Sequence, residues 1–280
     1  MIFWSTDVPY NKSYDPVPQK IHAVNLLEQY EFAGEDLPMN NFDVVERLER
    51  ELLINTYQHT STLIHLKLSA RYFPTVERIF KECGIPDDFK YLAVAESSLR
   101  NAISPAGAKG IWQFRDAAAT ELGLEINEYV DERYHFEKAT FAACQYLKKQ
   151  KERFGNWTLA AAAYNMGPNG LQNAMNEQKE EIYFNLNLSD ETNRYLFRIL
   201  AAKEVMKEPE KFGFFVHSKD KYEPFEDYKL VEINTSIESL ADFAHKHGCT
   251  YRLLKVYNPW LIKSSLSNKD AKSYQIKLPK

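Results

Sequence analysis

In the stretch YLAVAESSLR, residues 91–100, a single acid stands in an apolar run. Helical spacing sets Glu96 on the same face as Ala93, Leu92 and Phe89, which lie three, four and seven positions earlier. A carboxylate placed there is partly stripped of water, and desolvation favours its neutral, proton-carrying form. Such a group is either one half of a buried ion pair or a functional acid, because both kinds of site perturb a carboxyl. A second stretch, PAGAKGIWQF (105–114), has glycines that permit a tight turn and close backbone approach, with Trp112 and Gln113 beside them. Its residue order excludes a phosphate-binding loop. A third, AAAAYNMG (160–167), has small residues that let helices approach closely; Tyr164-Asn165 there reads by itself as a polar cap.

Helices must position these residues. From Phe42 to about Lys207 helical periodicity dominates. Val44, Val45, Leu48, Leu52 and Leu53 have amphipathic spacing. YFPTVERIFKECG predicts a second helix with Pro74 early and Gly84 as its stop. The Glu96 helix is expected to open at Pro86, with Asp87 and Asp88 favouring its positive end. FRDAAATELGL, FEKATFAACQYLKKQKERFG, NWTLAAAAYNMG and SDETNRYLFRILAAKEVMK predict further helices, the third capped at Asn156 or Thr158 and closed at Gly167. No clear strand interrupts this series. After Gly213 the pattern changes: YKLVEIN (228–234) and SYQIKLP predict strands around two short helices, SIESLADFAHKHG and TYRLLKVYNPW.

Composition bounds the rest. The 280 residues, 44% of them hydrophobic, suffice for one sizeable core and a small second one. A net charge of −4 without Lys/Arg runs leaves no electrostatic footprint for nucleic acid. No apolar run is long enough for a membrane-spanning helix, and MIFWSTDVPYNKSYD lacks a signal-peptide pattern, which fits a cytoplasmic or a processed chain. Cys83, Cys144 and Cys249 have neither CxxC nor metal spacing; free, buried thiols are expected. His59, His65 and His135 form no metal pattern, so neither metal nor cofactor is expected.

Taken in order, Glu96-Ser97, then Gly110-Ile111-Trp112-Gln113-Phe114, then Ala163-Tyr164-Asn165-Met166-Gly167, then Glu191-Thr192-Asn193-Arg194-Tyr195 resemble the soluble-lytic-transglycosylase family, related to goose-type lysozyme. The GIWQF variant and the helices before Glu96 look most like its membrane-bound D-type branch. The resemblance covers roughly residues 40–210. It implies cleavage of the β-1,4 bond from N-acetylmuramic acid to N-acetylglucosamine in peptidoglycan, with Glu96 as the catalytic acid. It implies that Tyr195 orients this acid, that Ser97 and Gln113 face substrate, and that Tyr164 and Asn165 shape the cleft. Ordinary glycosidases need a second carboxylate; none matches here. The 2-acetamido group would substitute for it, giving a 1,6-anhydro product. Asp131 and Glu132 are the rival acids nearest in sequence and read as a solvated turn. A hydrolytic muramidase and a noncatalytic peptidoglycan-binding protein are the alternatives.

The tail resembles a LysM module in ESLADFAHKHG, LLKVYNP and YQIKLP, and departs from it where EINTSI (232–237) replaces the family's Gly-Asp-Thr. The expected fold is mainly α: a lysozyme-like all-α catalytic domain followed by a small βααβ LysM-like domain. The expected organisation is an N-terminal arm over 1–40 with one short helix near 19–30, a catalytic domain over 41–212, a linker over 213–227 and the module over 228–280. Glycan strands of peptidoglycan are the implied partner, for a monomer in the cell envelope, periplasmic or outer-membrane associated. Membrane association would come only through a lipid anchor not visible in this chain.

Overall fold

The spacing of Val44, Leu48 and Leu52 turns all three to one side of helix α1 (Phe42–Tyr57), and that side is wholly buried. Each such side chain contributes roughly 1.5–3 kcal/mol on leaving water. The computed structural model describes residues 21–280. Ahead of α1, strands β1 (Glu31–Phe32) and β2 (Glu35–Asp36) make a hairpin whose turn, Ala33-Gly34, has positive φ at both positions. Tyr30, Phe32 and Leu37 from this segment belong to the main core. The Glu35 carboxylate accepts the Trp157 and Thr158 amide N–H groups, placing a negative charge at a helix N-terminus. The short helix expected near 19–30 does not form over 21–30, and residues 19 and 20 lie outside the described residues. Tertiary bonds replace intrahelical ones there: the His22 amide donates to the Tyr57 hydroxyl, and the Leu27 amide to that of Tyr30.

Helix α2 (His59–Cys83) is one continuous rod through Pro74, where the sequence pattern predicted a fresh start at Tyr72. Pro74 removes one backbone bond, but Leu66, Val76, Ile79 and Phe80 on either side of it are buried. A 3₁₀ turn over Asp87–Phe89 separates Pro86 from helix α3 (Lys90–Ser97), so Pro86 caps the turn and does not open the helix. Strands β3 (Ala102–Ile103) and β4 (Lys109–Gly110) form a hairpin inside the helical series, which periodicity had not revealed in two-residue strands.

Helices α4 (Asp116–Glu121), α5 (Phe136–Phe154) and α6 (Trp157–Met166) follow. The Asn156 side chain caps α6 by accepting the Leu159 N–H at 2.8 Å. Helix α7 (Pro168–Gln178) buries only Leu171. Helix α8 (Asp190–Lys207), opened by Ser189, lies against α1, α3 and α6 and buries most of its apolar residues. Its Arg194 Nε donates to Oε1 of the buried Glu51 on α1 at 2.5 Å.

The C-terminal unit has the strand-helix-helix-strand order that the sequence implied. Strand β5 (Tyr228–Ile233), helices α9 (Leu240–Lys246) and α10 (Tyr251–Tyr257) and strand β6 (Tyr274–Pro279) surround their own small core. In β6 the alternation buries Tyr274, Ile276 and Leu278, and Ile276 pairs with Val231 of β5. Val130, from the helical unit, completes this second core. The segment between the units is held down. The Tyr222 amide donates to the Lys67 carbonyl at 3.0 Å, and the Arg71 guanidinium lies 4.4 Å over the Phe225 ring. The described residues are thus mainly α, with a βααβ unit at the C-terminus.

Candidate active site

Helix α3 ends one residue after Glu96, and the chain turns away through Ser98 and Leu99, both with left-handed φ near +55°. This leaves Glu96 half-buried, its carboxyl between α3 and α8. Tyr195 of α8, 2% exposed, donates its hydroxyl hydrogen to Glu96 Oε1. Burial pushes the Glu96 carboxyl up to about 7. The Tyr195 hydrogen bond and the Arg198 charge pull it down, and the Glu191 charge pushes it further up. Near neutral pH this carboxyl is therefore divided between its protonated and ionised forms, as a general acid and base requires.

The loop Gly110-Ile111-Trp112-Gln113-Phe114 runs beside the acid, fixed by main-chain carbonyls that accept bonds from three of the singled-out residues. Ser97 Oγ lies 2.8 Å from the Ile111 carbonyl and 3.1 Å from that of Ala93, sharing its proton between them. Tyr164 Oη donates to the Trp112 carbonyl at 2.7 Å. Gln113 has a left-handed φ of +51°, and its Nε2 donates to the carbonyls of Gly110 at 2.6 Å and Ala102 at 3.1 Å. The Trp112 indole N–H donates to Thr140 Oγ1 at 2.9 Å. Burial raises the Tyr164 phenol well above 10, and the nearby Glu96 charge adds to it. Asn165 joins the site from the side: its Oδ1 accepts from Thr192 Oγ1 at 2.8 Å, and its Nδ2 donates to Glu191 Oε1 at 3.2 Å.

The structure therefore brings Tyr195 into contact with Glu96 and sets Tyr164 close enough to feel its charge. Asn165 reaches Glu191. The donor groups of Ser97 and Gln113 are held by main-chain carbonyls, those of Ala93 and Ile111 for Ser97 and those of Ala102 and Gly110 for Gln113. Asp131 and Glu132 are not a solvated turn. They are 3% and 5% exposed. Asp131 accepts both Nε and Nη2 of Arg133, at 2.8 and 2.6 Å. Burial alone would raise the Asp131 carboxyl; the Arg133 bonds and charge outweigh it and hold the carboxyl below its ordinary value. Glu132 accepts the Glu125 amide at 2.9 Å and pairs with Lys138. Two residues with influence on the acid, Glu191 and Arg198, had no assigned role in the sequence. Their signal is helical spacing: they stand at i−4 and i+3 from Tyr195, on its face of α8.

A cavity of about 470 Å³ lies elsewhere, between α2 and the C-terminal unit, bounded by Arg71, Tyr72, Tyr257 and Trp260. Glu96 does not line it. The environment of the acid, not enclosed volume, marks this site.

The site is thus a half-buried acid bonded by a tyrosine, on a helical scaffold with a βααβ unit at the C-terminus. Residues 82–187 match the transglycosylase SLT domain, and residues 229–280 match the soluble lytic transglycosylase C-terminal LysM-like domain. The chain is 26% identical over 244 residues to membrane-bound lytic murein transglycosylase D of Escherichia coli K12, covering 84% of this chain and 52% of that protein. The same figures hold for the protein of that name from Escherichia coli O6:H1. The chain thus spans about half the length of the curated relatives it matches. Among solved structures, the 70 kDa soluble lytic transglycosylase of Escherichia coli matches with a TM-score of 0.42 at 21% identity, over 54% of this chain and 26% of that one. An inactive variant of the lytic transglycosylase Slt of Pseudomonas aeruginosa matches with a TM-score of 0.40 at 19% identity, over 55% and 28%.

Proposed function

We propose that this chain is a peptidoglycan lytic transglycosylase of the cell envelope, with Glu96 as its only acid and base. The observation that carries the proposal is the Glu96 carboxyl, raised to about 7 by burial and bonded by Tyr195. The SLT-domain match and the relatives' printed names support the substrate class.

In the first step protonated Glu96 gives its proton to the glycosidic oxygen as the bond from that oxygen to the anomeric carbon breaks. The 2-acetamido oxygen of the muramyl residue bonds the anomeric carbon from the other side. Glu96 is now a carboxylate, stabilised by the Tyr195 hydroxyl and the Arg198 charge. In the second step the 6-hydroxyl oxygen attacks the anomeric carbon, the acetamido oxygen leaves, and the 6-hydroxyl proton passes to Glu96. The acid is restored, no water is consumed, and the product ends in a 1,6-anhydro ring. Glu191 keeps Glu96 protonated at the start of each cycle by repulsion; Asn165 holds Glu191 in place. Ser97, Gln113 and Tyr164 fix the loop that walls the site.

Mass spectrometry of digested purified sacculi tests this. Anhydro ends, one water lighter than reducing ends, are expected from the wild type and absent with Glu96→Gln. Reducing ends alone would establish a hydrolase on the same scaffold. No cleavage at all would leave a binding protein.

A further inference from the structure

We propose that Arg133 is a positioning residue for this site, and that through it the C-terminal module helps hold the catalytic loop in place. The proposal rests on the reading of the Glu96 cleft given above. It begins with what the loop leans on. A Cβ added at Gly110 would lie 2.1 Å from the Arg133 carbonyl oxygen, so the 110–114 loop and the Arg133 backbone are packed against each other with no room for a methyl group. The Arg133 side chain continues the contact. It is 1% exposed, and its guanidinium donates to Asp131, to Asp116 and to the Phe114 carbonyl at 3.3 Å. Lys109 Nζ reaches Asp131 at 3.4 Å from the other end of the loop. The planar fork of an arginine meets three acceptors at once, which an ammonium on a single carbon does not reproduce.

The segment that carries Arg133 is in turn gripped by the module. Val130 lies in the module's core and forms a β-bridge with Leu261. The Asp131 amide donates to the Trp260 carbonyl at 3.0 Å, and the Ile262 amide donates to the Tyr129 carbonyl at 2.7 Å. Farther along, the Tyr274 hydroxyl donates to Glu125 at 3.0 Å. These bonds make the module one wall of the segment. A continuous path of packed and hydrogen-bonded groups then runs from the module core through Val130, Asp131 and Arg133 to Phe114 and Gly110. From there it reaches Ile111 and Trp112, whose carbonyls hold Ser97 and Tyr164 beside Glu96. The SLT and LysM-like units meet through a support of the active site and not only through a linker.

The test uses the full chain. Arg133→Lys keeps the charge and loses the fork. Its turnover number on soluble glycan strands should fall at least about tenfold, the worth of one lost orienting interaction. Its binding, measured with the same strands in the Glu96→Gln background, should be unchanged. Amides of residues 109–114 should exchange with deuterium faster in Arg133→Lys, and also in Val130→Ala, which loosens the grip from the module side. In a double-mutant cycle Gly110→Ala and Arg133→Lys should be non-additive, since the first crowds the Arg133 main chain and the second loosens the side-chain bonds that seat the same segment against the loop. Thermal melting reports whether either variant is misfolded. A merely structural arginine would lower the melting temperature while leaving the turnover number of the folded enzyme and the exchange of 109–114 unchanged. That outcome overturns the proposal. Full cleavage by the wild type together with normal turnover by Arg133→Lys overturns this proposal alone. Absence of cleavage by the wild type overturns the functional reading, and the exchange measurement then still decides whether Arg133 orders the loop.

Discussion

Glu96→Gln should stabilise the folded protein, and by an amount that grows with pH. The Glu96 carboxyl sits at about 7 in the folded chain against an ordinary value of 4.5. Between those two pH values the unfolded chain has released the proton while the native chain keeps it. The native state then binds more protons, so its stability falls as pH rises through this window, and the loss is complete above about 7. A difference of about 2.5 pH units at about 1.4 kcal/mol each gives a ceiling of roughly 3.5 kcal/mol, reduced by whatever relaxation the half-buried carboxylate finds. Gln has nearly the same shape, carries no charge, and its amide oxygen can still accept the Tyr195 hydroxyl. The variant should therefore match the wild type near pH 4 and exceed it at pH 8, by up to about 7–14 °C in melting temperature for a chain of this size. Calorimetric melts of both proteins from pH 4 to 8.5 measure the difference. Parallel curves across the whole range would refute the raised carboxyl, and with it the claim that this acid arrives protonated at neutral pH. Turnover by the variant should be undetectable at every pH.

Three other perturbations probe the same site. Tyr195→Phe removes the hydrogen bond to the acid and should lower turnover about ten- to a thousandfold, with little change in substrate affinity; steady-state kinetics on soluble glycan beside a melting control decides it. Glu191→Gln removes the repulsive neighbour, so the Glu96 carboxyl should fall and the alkaline limb of the pH–rate profile should move to lower pH; an unmoved limb would mean that Glu191 is too well screened to matter. Ser97→Ala leaves the Ile111 carbonyl without its donor and should cost about 1–3 kcal/mol of stability in a denaturant titration, together with some turnover.

How far the sequence reveals this molecule depends on the range of the interactions involved. Helices α5, α6 and α8 are legible because their caps and apolar stripes are local. Strand β6 is legible because period-2 alternation is local too. Helix α2 is not, because a mid-helix proline argues for a boundary, and only packing on both sides keeps the rod continuous. The β1–β2 hairpin is too short to show a period, and it earns its place through Phe32 in the core and Glu35 at α6. Glu96 is visible as an anomaly, an acid on an apolar face. Its partner Tyr195 is 99 residues away, and no local rule joins them; the family resemblance alone proposed the pairing. Asp131 and Glu132 show the opposite failure. In VDERYH the two acids look like a solvated turn, yet they are buried and paired with Arg133 and Lys138, because ion pairs leave no periodic trace.

The docked connection between the units, with Tyr222 bonded to Lys67 and Phe225 under Arg71, bears on how such a chain meets a polymer. A module on a flexible tether raises the local concentration of its partner domain and lets it sample many positions. A module bolted in place still localises its partner domain but removes the sampling. Any glycan held by it would stand at a fixed offset from Glu96, so the pair would work as a caliper, with the distance from anchored sugar to cut bond set by the protein and not by diffusion. Fragment lengths would then carry the imprint of that spacing.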